Sequence, residues 1–191
     1  MSNGDIAWVE TTLAGLTLHD SKTAPGGERK MAEMRAVIAD AYLERLRGDD
    51  FVGVQNYARM LISVEGIIHP GSDVEVNQMG EEIYPEALGG AVRYAAEVSG
   101  GPVYVTENGL ATTDDAQRVA YFQRALASLA DRMRDGVDVR GYVCWSALDN
   151  FEWVGGFRPK FGIIDVDRAT QARTPRPSAH WLGAVARTGQ L

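Results

Sequence analysis

Apolar positions along the chain fall into two alternating patterns. Short apolar runs occur at Gly15–Leu18, Phe51–Val54, Val103–Val105 leading into Thr106 and Glu107, and Tyr142–Trp145, with a shorter one at Phe161–Ile164. Such runs fit strands covered on both faces. Between them apolar residues recur every three or four positions, the spacing of one helix face. Met31, Met34, Ile38, Ala41, Tyr42 and Leu46 mark a helix from Glu28 to Arg47, stopped by Gly48. A second helix opens at Pro85 and carries Leu88, Val92, Ala95 and Val98 before Gly100-Gly101-Pro102 ends it. A third, capped by Thr112 or Thr113, carries Val119, Phe122, Leu126, Leu129 and Met133. The last starts at Pro177 and carries Trp181, Leu182 and Val185. Residues 58–80 are polar and aperiodic, a long loop with room for a small hairpin at Leu61–Ile68.

Strands alternating with helices predict an α/β fold with a parallel sheet, residues 1–191 forming a single domain behind a short N-terminal segment at 1–14. Periodicity does not decide between an open doubly wound sheet and a barrel. No strand is followed by G-x-G-x-x-G or by a G-K-[ST] loop, so neither nucleotide fingerprint is present.

Composition narrows the chemistry. The 191 residues are 45% apolar and 24% charged, the balance of a folded globular chain. Nineteen basic residues against 26 acidic ones give a net charge of −7, which disfavours a nucleic-acid partner. Cys144 is the single cysteine, so an intrachain disulfide and a multi-thiolate zinc site are both excluded. No cluster of His, Cys or Asp has metal spacing, and no cofactor is expected. No apolar run approaches the roughly 20 residues of a membrane helix. The opening Met-Ser-Asn-Gly-Asp lacks a basic segment and an apolar segment, so the expected location is cytoplasmic.

In α/β sheets functional groups gather beyond the carboxyl ends of the strands. Those ends carry Gln55, Asn56 and Tyr57, then Thr106, Glu107 and Asn108, then Trp145 and Ser146. The loop beyond adds Asp149, Asn150, Glu152 and Trp153, and Phe161 opens the fifth run. Indoles that stack on the C–H face of a sugar ring, with carboxylates and amides that bond adjacent hydroxyls, make a sugar-binding inventory. Each residue also has a plainer reading. A strand-terminal Glu is more often solvated or capping than nucleophilic, and Trp145 between Val143 and Ala147 fits a core. His19, His69 and His180 have no evident partners, and Cys144 suits a small buried apolar role.

Val103-Tyr104-Val105-Thr106-Glu107-Asn108-Gly109 resembles the nucleophile strand of the family 1 glycoside hydrolases, the β-glucosidase family. The resemblance continues in Trp145-Ser146-Ala147-Leu148-Asp149-Asn150-Phe151-Glu152-Trp153 and in Gly156-Phe157-Arg158-Pro159-Lys160-Phe161-Gly162, which look like the family's sugar-pocket signature. Asp50-Phe51-Val52-Gly53-Val54 before Tyr57, and Ile83-Tyr84-Pro85-Glu86, are similar to further family landmarks. By this resemblance Glu107 is the nucleophile of a retaining β-glucosidase and Tyr57 donates a hydrogen bond to it. Trp145 packs beneath the glycone, Glu152 accepts from its far hydroxyls, Trp153 donates its indole N–H nearby, and Phe161 walls the pocket. Gln55, at the end of the second strand, is a substrate-binding residue. Gln55 and Asn56 depart from the usual Asn and Tyr, Glu81 stands where a Trp often shapes the aglycone site, and Lys160 replaces a frequent Arg.

The resemblance implies the last four strand–helix units of a (β/α)8 barrel. Retaining hydrolysis uses two carboxyl groups about 5–5.5 Å apart. The family's acid/base Glu lies in an Asn-Glu-Pro motif, and no Asn-Glu-Pro occurs in this sequence. Unpaired sheet edges favour association, so closure is expected from a chain carrying the first half or from a second copy of this one. Three readings stand: a β-glycosidase half active when complemented, a non-catalytic sugar-binding domain, and an inert half-barrel that oligomerises.

Overall fold

The computed structural model describes residues 27–191. The expected strand at Gly15–Leu18 and the 1–14 segment lie outside the described residues. Three of the expected parallel strands are present: β1 (Val52–Gln55), β4 (Val103–Glu107) and β5 (Val139–Tyr142), side by side in the order β1-β4-β5. Val52 faces Val103 and Val54 faces Val105 in register, and Val105 faces Tyr142. One face of this sheet is covered. α3 (Ala87–Ser99) and α4 (Asp115–Arg134) bring Leu88, Val92, Phe122 and Leu126 against Val52, Val54, Val103 and Val105, all buried. The opposite face carries Tyr104, which meets Phe51 edge-on at 5.0 Å and lies where a Cβ on Gly141 would stand only 2.6 Å from its ring. Phe51 is 51% exposed and Val143 58%, so nothing among the described residues covers that face as the helices cover the other.

The first helical segment runs as predicted, with Met31 and Leu46 of the expected stripe buried, but between them the buried face shifts by one residue. α1 (Gly27–Arg35) passes through a π turn at Ala36–Asp40 into α2 (Ala41–Leu43) and a final 3-10 turn at Glu44–Leu46. The wider turn adds one residue to the repeat. Ala39 and Leu43 therefore reach the core, and Ile38, Ala41 and Tyr42 face outward. The predicted hairpin is there: β2 (Leu61–Ser63) pairs antiparallel with β3 (Gly66–Ile68), and Ile62 packs on Met31 of α1.

Four further expectations are corrected. α4 is capped by Asp114, not by Thr112 or Thr113. Its carboxylate accepts from the Ala116 and Gln117 N–H groups, while the Thr112 hydroxyl accepts from the Asp114 N–H one step earlier. Met133 at the end of that stripe is exposed, and Tyr121 and Ala125 are buried instead. The fourth run forms β5 three residues earlier than predicted, at Val139–Tyr142, because Val143 makes a last bond to the Val105 carbonyl before the chain turns away. Phe161–Ile164 is not a further parallel strand of the sheet. It runs beside residues 146–149, with Ile163 and Ile164 N–H groups bonded to the Ser146 and Ala147 carbonyls. The chain then folds back as the antiparallel pair β6 (Ile164–Val166) and β7 (Arg173–Pro175). α5 (Pro177–Thr188) starts on its proline and packs on α4.

Candidate active site

The ends of β1 and β4 set the centre of the site. A register shift after Val54 places Gln55 opposite Glu107, and the Asn56 N–H bonds the Glu107 carbonyl at 3.0 Å. One residue further, the Tyr57 hydroxyl donates to Glu107 Oε2. The Tyr57 ring meets Phe161 edge-on at 5.7 Å. Burial, then the hydrogen bond to Glu107, then the charges of Glu107 and Glu152 hold the Tyr57 phenol far above its ordinary range. It therefore stays a donor at any pH the fold tolerates.

Glu152 is itself buried and accepts from Trp145 Nε1 at 2.9 Å, so the indole is fixed by the carboxylate that follows it in the next loop. Tyr57, Glu107, Trp145, Glu152 and Phe161 are thus brought together, with Gln55 half-buried at the edge. Trp153 is not: at a backbone φ of 42° its side chain turns out and is 85% exposed.

The loop that carries Glu152 and Phe161 is fastened from behind. Asp149 accepts from Arg176 Nη2 at 2.8 Å and from the Gly162 N–H at 3.0 Å, with Lys160 Nζ at 3.6 Å. Burial opposes its charge, but the Arg176 bonds prevail and hold the carboxyl below the usual carboxylate range. Arg118 is fully buried and donates to the Thr112 carbonyl, to the Lys160 carbonyl at 2.7 Å and to Asp115. Gln78 accepts from the Lys160 N–H at 2.8 Å, which ties the 58–80 loop to the same rim. Glu81 is exposed and held by Asn77 Nδ2 at 2.9 Å.

Sequence reasoning did not single out Arg118, Tyr121, Tyr142, Asp115 or Arg176. All five act through polar tips that the apolar pattern does not weigh; Tyr142 entered it only as the start of an apolar run. Among the described residues no group of three His, Cys, Asp or Glu is placed to hold a metal ion, and no helix is long and apolar enough to cross a membrane.

Residues 29–190 match glycosyl hydrolase family 1. This chain belongs to that family. Among family relatives, Beta-glucosidase 47 of Arabidopsis thaliana is 35% identical over 179 residues, covering 78% of this chain and 33% of that protein. The crystal structure of the β-glycosidase BGL167 superposes with a TM-score of 0.82 at 54% identity, over 88% of this chain and 40% of that one. A β-glucosidase from Thermotoga maritima in complex with glucoimidazole gives 0.70 at 33% identity, over 75% of this chain and 36% of that one. The chain therefore spans about a third to two-fifths of these relatives. Its parallel strands, helix-covered on one face, form part of the family's barrel wall.

Proposed function

We propose that this chain supplies the nucleophile side of a retaining β-glucosidase-type site. The observation that carries the reading is the Tyr57–Glu107 hydrogen bond at the ends of neighbouring strands, beside an indole fixed by a second carboxylate. Glu107 attacks the anomeric carbon of a β-glycoside as the bond to the leaving oxygen breaks. The glycosyl group becomes an ester of Glu107, and the leaving oxygen takes a proton from an acid. Water then cleaves the ester, giving its proton to the same group. Tyr57 keeps the attacking carboxylate oriented. Trp145 offers its face to the ring, Glu152 accepts from hydroxyls, and Phe161 and Gln55 bound the pocket, while Trp153, turned out into solvent, takes no part.

Glu152 does not serve as the acid, because it is engaged by Trp145 and belongs to the sugar-binding wall. No Asn-Glu-Pro occurs in the sequence, so this reading takes the acid from a partner: a chain carrying the first half of the barrel, or the Glu107 of a second copy closing on the open sheet face. The same absence favours a second reading, a sugar-binding scaffold without turnover.

Hydrolysis of p-nitrophenyl β-glucoside by the unaltered protein and by Glu107→Ala, with native mass recorded on the same sample, separates the two. The expected result is an associated protein whose p-nitrophenol release, aided by a leaving group that needs little protonation, disappears in Glu107→Ala. Glucose binding without release supports the scaffold. A stable monomer by light scattering overturns association.

A further inference from the structure

Behind Glu107 the core contains two phenols whose hydroxyls meet on one side chain. Asn108 is fully buried. Its Nδ2 donates to the Asn56 carbonyl at 2.6 Å and to the Tyr121 hydroxyl at 2.9 Å, and its Oδ1 accepts from the Tyr142 hydroxyl at 2.9 Å. The Tyr121 hydroxyl in turn donates to the Tyr57 carbonyl at 3.1 Å. The polarity of this array is fixed. A carbonyl can only accept, so Nδ2 must face Asn56 and Oδ1 must face Tyr142.

Phenylalanine would fill the volume of either tyrosine. What the hydroxyls add is a hold on the backbone at the exits of β1 and β4. Asn108 also accepts the Trp145 N–H on its own carbonyl at 2.8 Å, which joins the exit of β5 to the same knot. The three strand ends that carry Tyr57, Glu107 and Trp145 are thus registered to one another through one residue, Asn108, by its side-chain amide and its main-chain carbonyl.

We propose that Tyr121, acting through Asn108 and the Tyr57 carbonyl, is a positioning residue for the Tyr57–Glu107 pair, with Tyr142 fixing the amide from the other side. Neither phenol reaches the reacting atoms. Without the Tyr121 hydroxyl the backbone at residue 57 loses one of its anchors, and the phenol and carboxylate drift from alignment. The value of this alignment for catalysis rests on the reading of Glu107 proposed above, but the alignment itself does not.

The test reads the pair directly. A phenol proton shielded from water and bonded to a carboxylate gives a resolved downfield proton NMR resonance, assigned to Tyr57 by its loss in Tyr57→Phe. In Tyr121→Phe this resonance is expected to move upfield and exchange faster with water, with a smaller movement in Tyr142→Phe. Tyr94→Phe is the control, since the Tyr94 hydroxyl bonds Asp40 away from the site. It removes a phenol hydroxyl and is expected to leave the Tyr57 signal in place. A Tyr57 resonance unmoved in both Tyr121→Phe and Tyr142→Phe overturns the proposal. So does one moved equally by Tyr94→Phe, or the absence of any protected Tyr57 hydroxyl in the unaltered protein. If Tyr121→Phe does not fold, Tyr142→Phe carries the test alone. Covalent trapping of Glu107 by 2,4-dinitrophenyl 2-deoxy-2-fluoro-β-glucoside, whose leaving group needs no protonation, read by peptide mass, tests the nucleophile separately. Its failure with an intact NMR result sinks that reading and leaves the positioning standing.

Discussion

Glu152 bonds the indole of Trp145 with one oxygen, and the proposed sugar contact falls to the charge it carries. Replacing it by Gln keeps an oxygen for the indole and removes the charge. Hydrogen bonds to charged groups exceed neutral ones by about 1 kcal/mol, so Glu152→Gln is expected to weaken glucose binding roughly five- to tenfold. The denaturation midpoint should hardly change. Calorimetry showing undiminished affinity removes Glu152 from the sugar wall. At this scale the sequence was informative where a residue type is rare at its place: a strand-terminal Glu, an indole at a strand exit. It was silent on Gly109, where a Cβ would stand 1.8 Å from the Trp145 carbonyl oxygen. That approach depends on how two chain segments far apart in sequence come together. It also could not show that Trp153 turns outward, which follows from a left-handed backbone at one residue.

Elements were legible in kind and less so at their ends. The apolar stripe located α4 but missed its cap, because Thr112, Thr113 and Asp114 all offer a side-chain oxygen and only the backbone geometry chooses among them. It likewise missed Arg118 and Asp115, a pair within α4 to which α5 adds its own bonds. Asp115 accepts from the Ser178 N–H and hydroxyl, each at 2.7 Å, as well as from buried Arg118, and so pins the start of α5 to the start of α4. Removing the carboxylate leaves a fully buried guanidinium without its counter-charge. Asp115→Ala is expected to cost about 3–5 kcal/mol in chemical denaturation. A loss below about 1 kcal/mol would mean that the carbonyls of Thr112 and Lys160 satisfy Arg118 by themselves. In the first helix the one-residue slip of the buried face came from a π turn, which a fixed 3.6-residue period does not register.

The molecule as a whole was legible as alternating strand and helix units, with the candidate residues gathered beyond the strand ends. How far the sheet closes was not, since that depends on what meets its exposed face. Titration adds a whole-molecule prediction. Burial opposes the charges of Asp115 and Asp149, yet their arginine and serine partners hold both carboxyls below the usual range. The stability they lend is complete above the unfolded value of about 3.9 and drains as pH falls toward their lowered folded values. Burial raises Tyr57, Tyr121 and Tyr142, so their contribution is complete below about 10 and drains as pH rises beyond it. The denaturation midpoint should form a plateau between two falling limbs. Asp149→Asn should flatten the acid limb and Tyr142→Phe the alkaline one. Limbs unchanged by these substitutions would assign them to other groups.

Arg118 grips backbone carbonyls on both sides of the aromatic loop, one at Thr112 and one at Lys160. With the bonds of Asp115 to Ser178 and of Arg176 to Asp149, it fastens the chain after residue 160 to the body independently of the covalent path through residues 151–157. That path is the exposed one, with Trp153 and Val154 standing in solvent. Chymotrypsin is expected to cut there first, and the two fragments should still elute together under native conditions and separate only in denaturant. The peptide bond at the mouth of the site is dispensable for holding its walls in place, so new chain termini or an inserted reporter could be introduced there without dismantling what lies beneath.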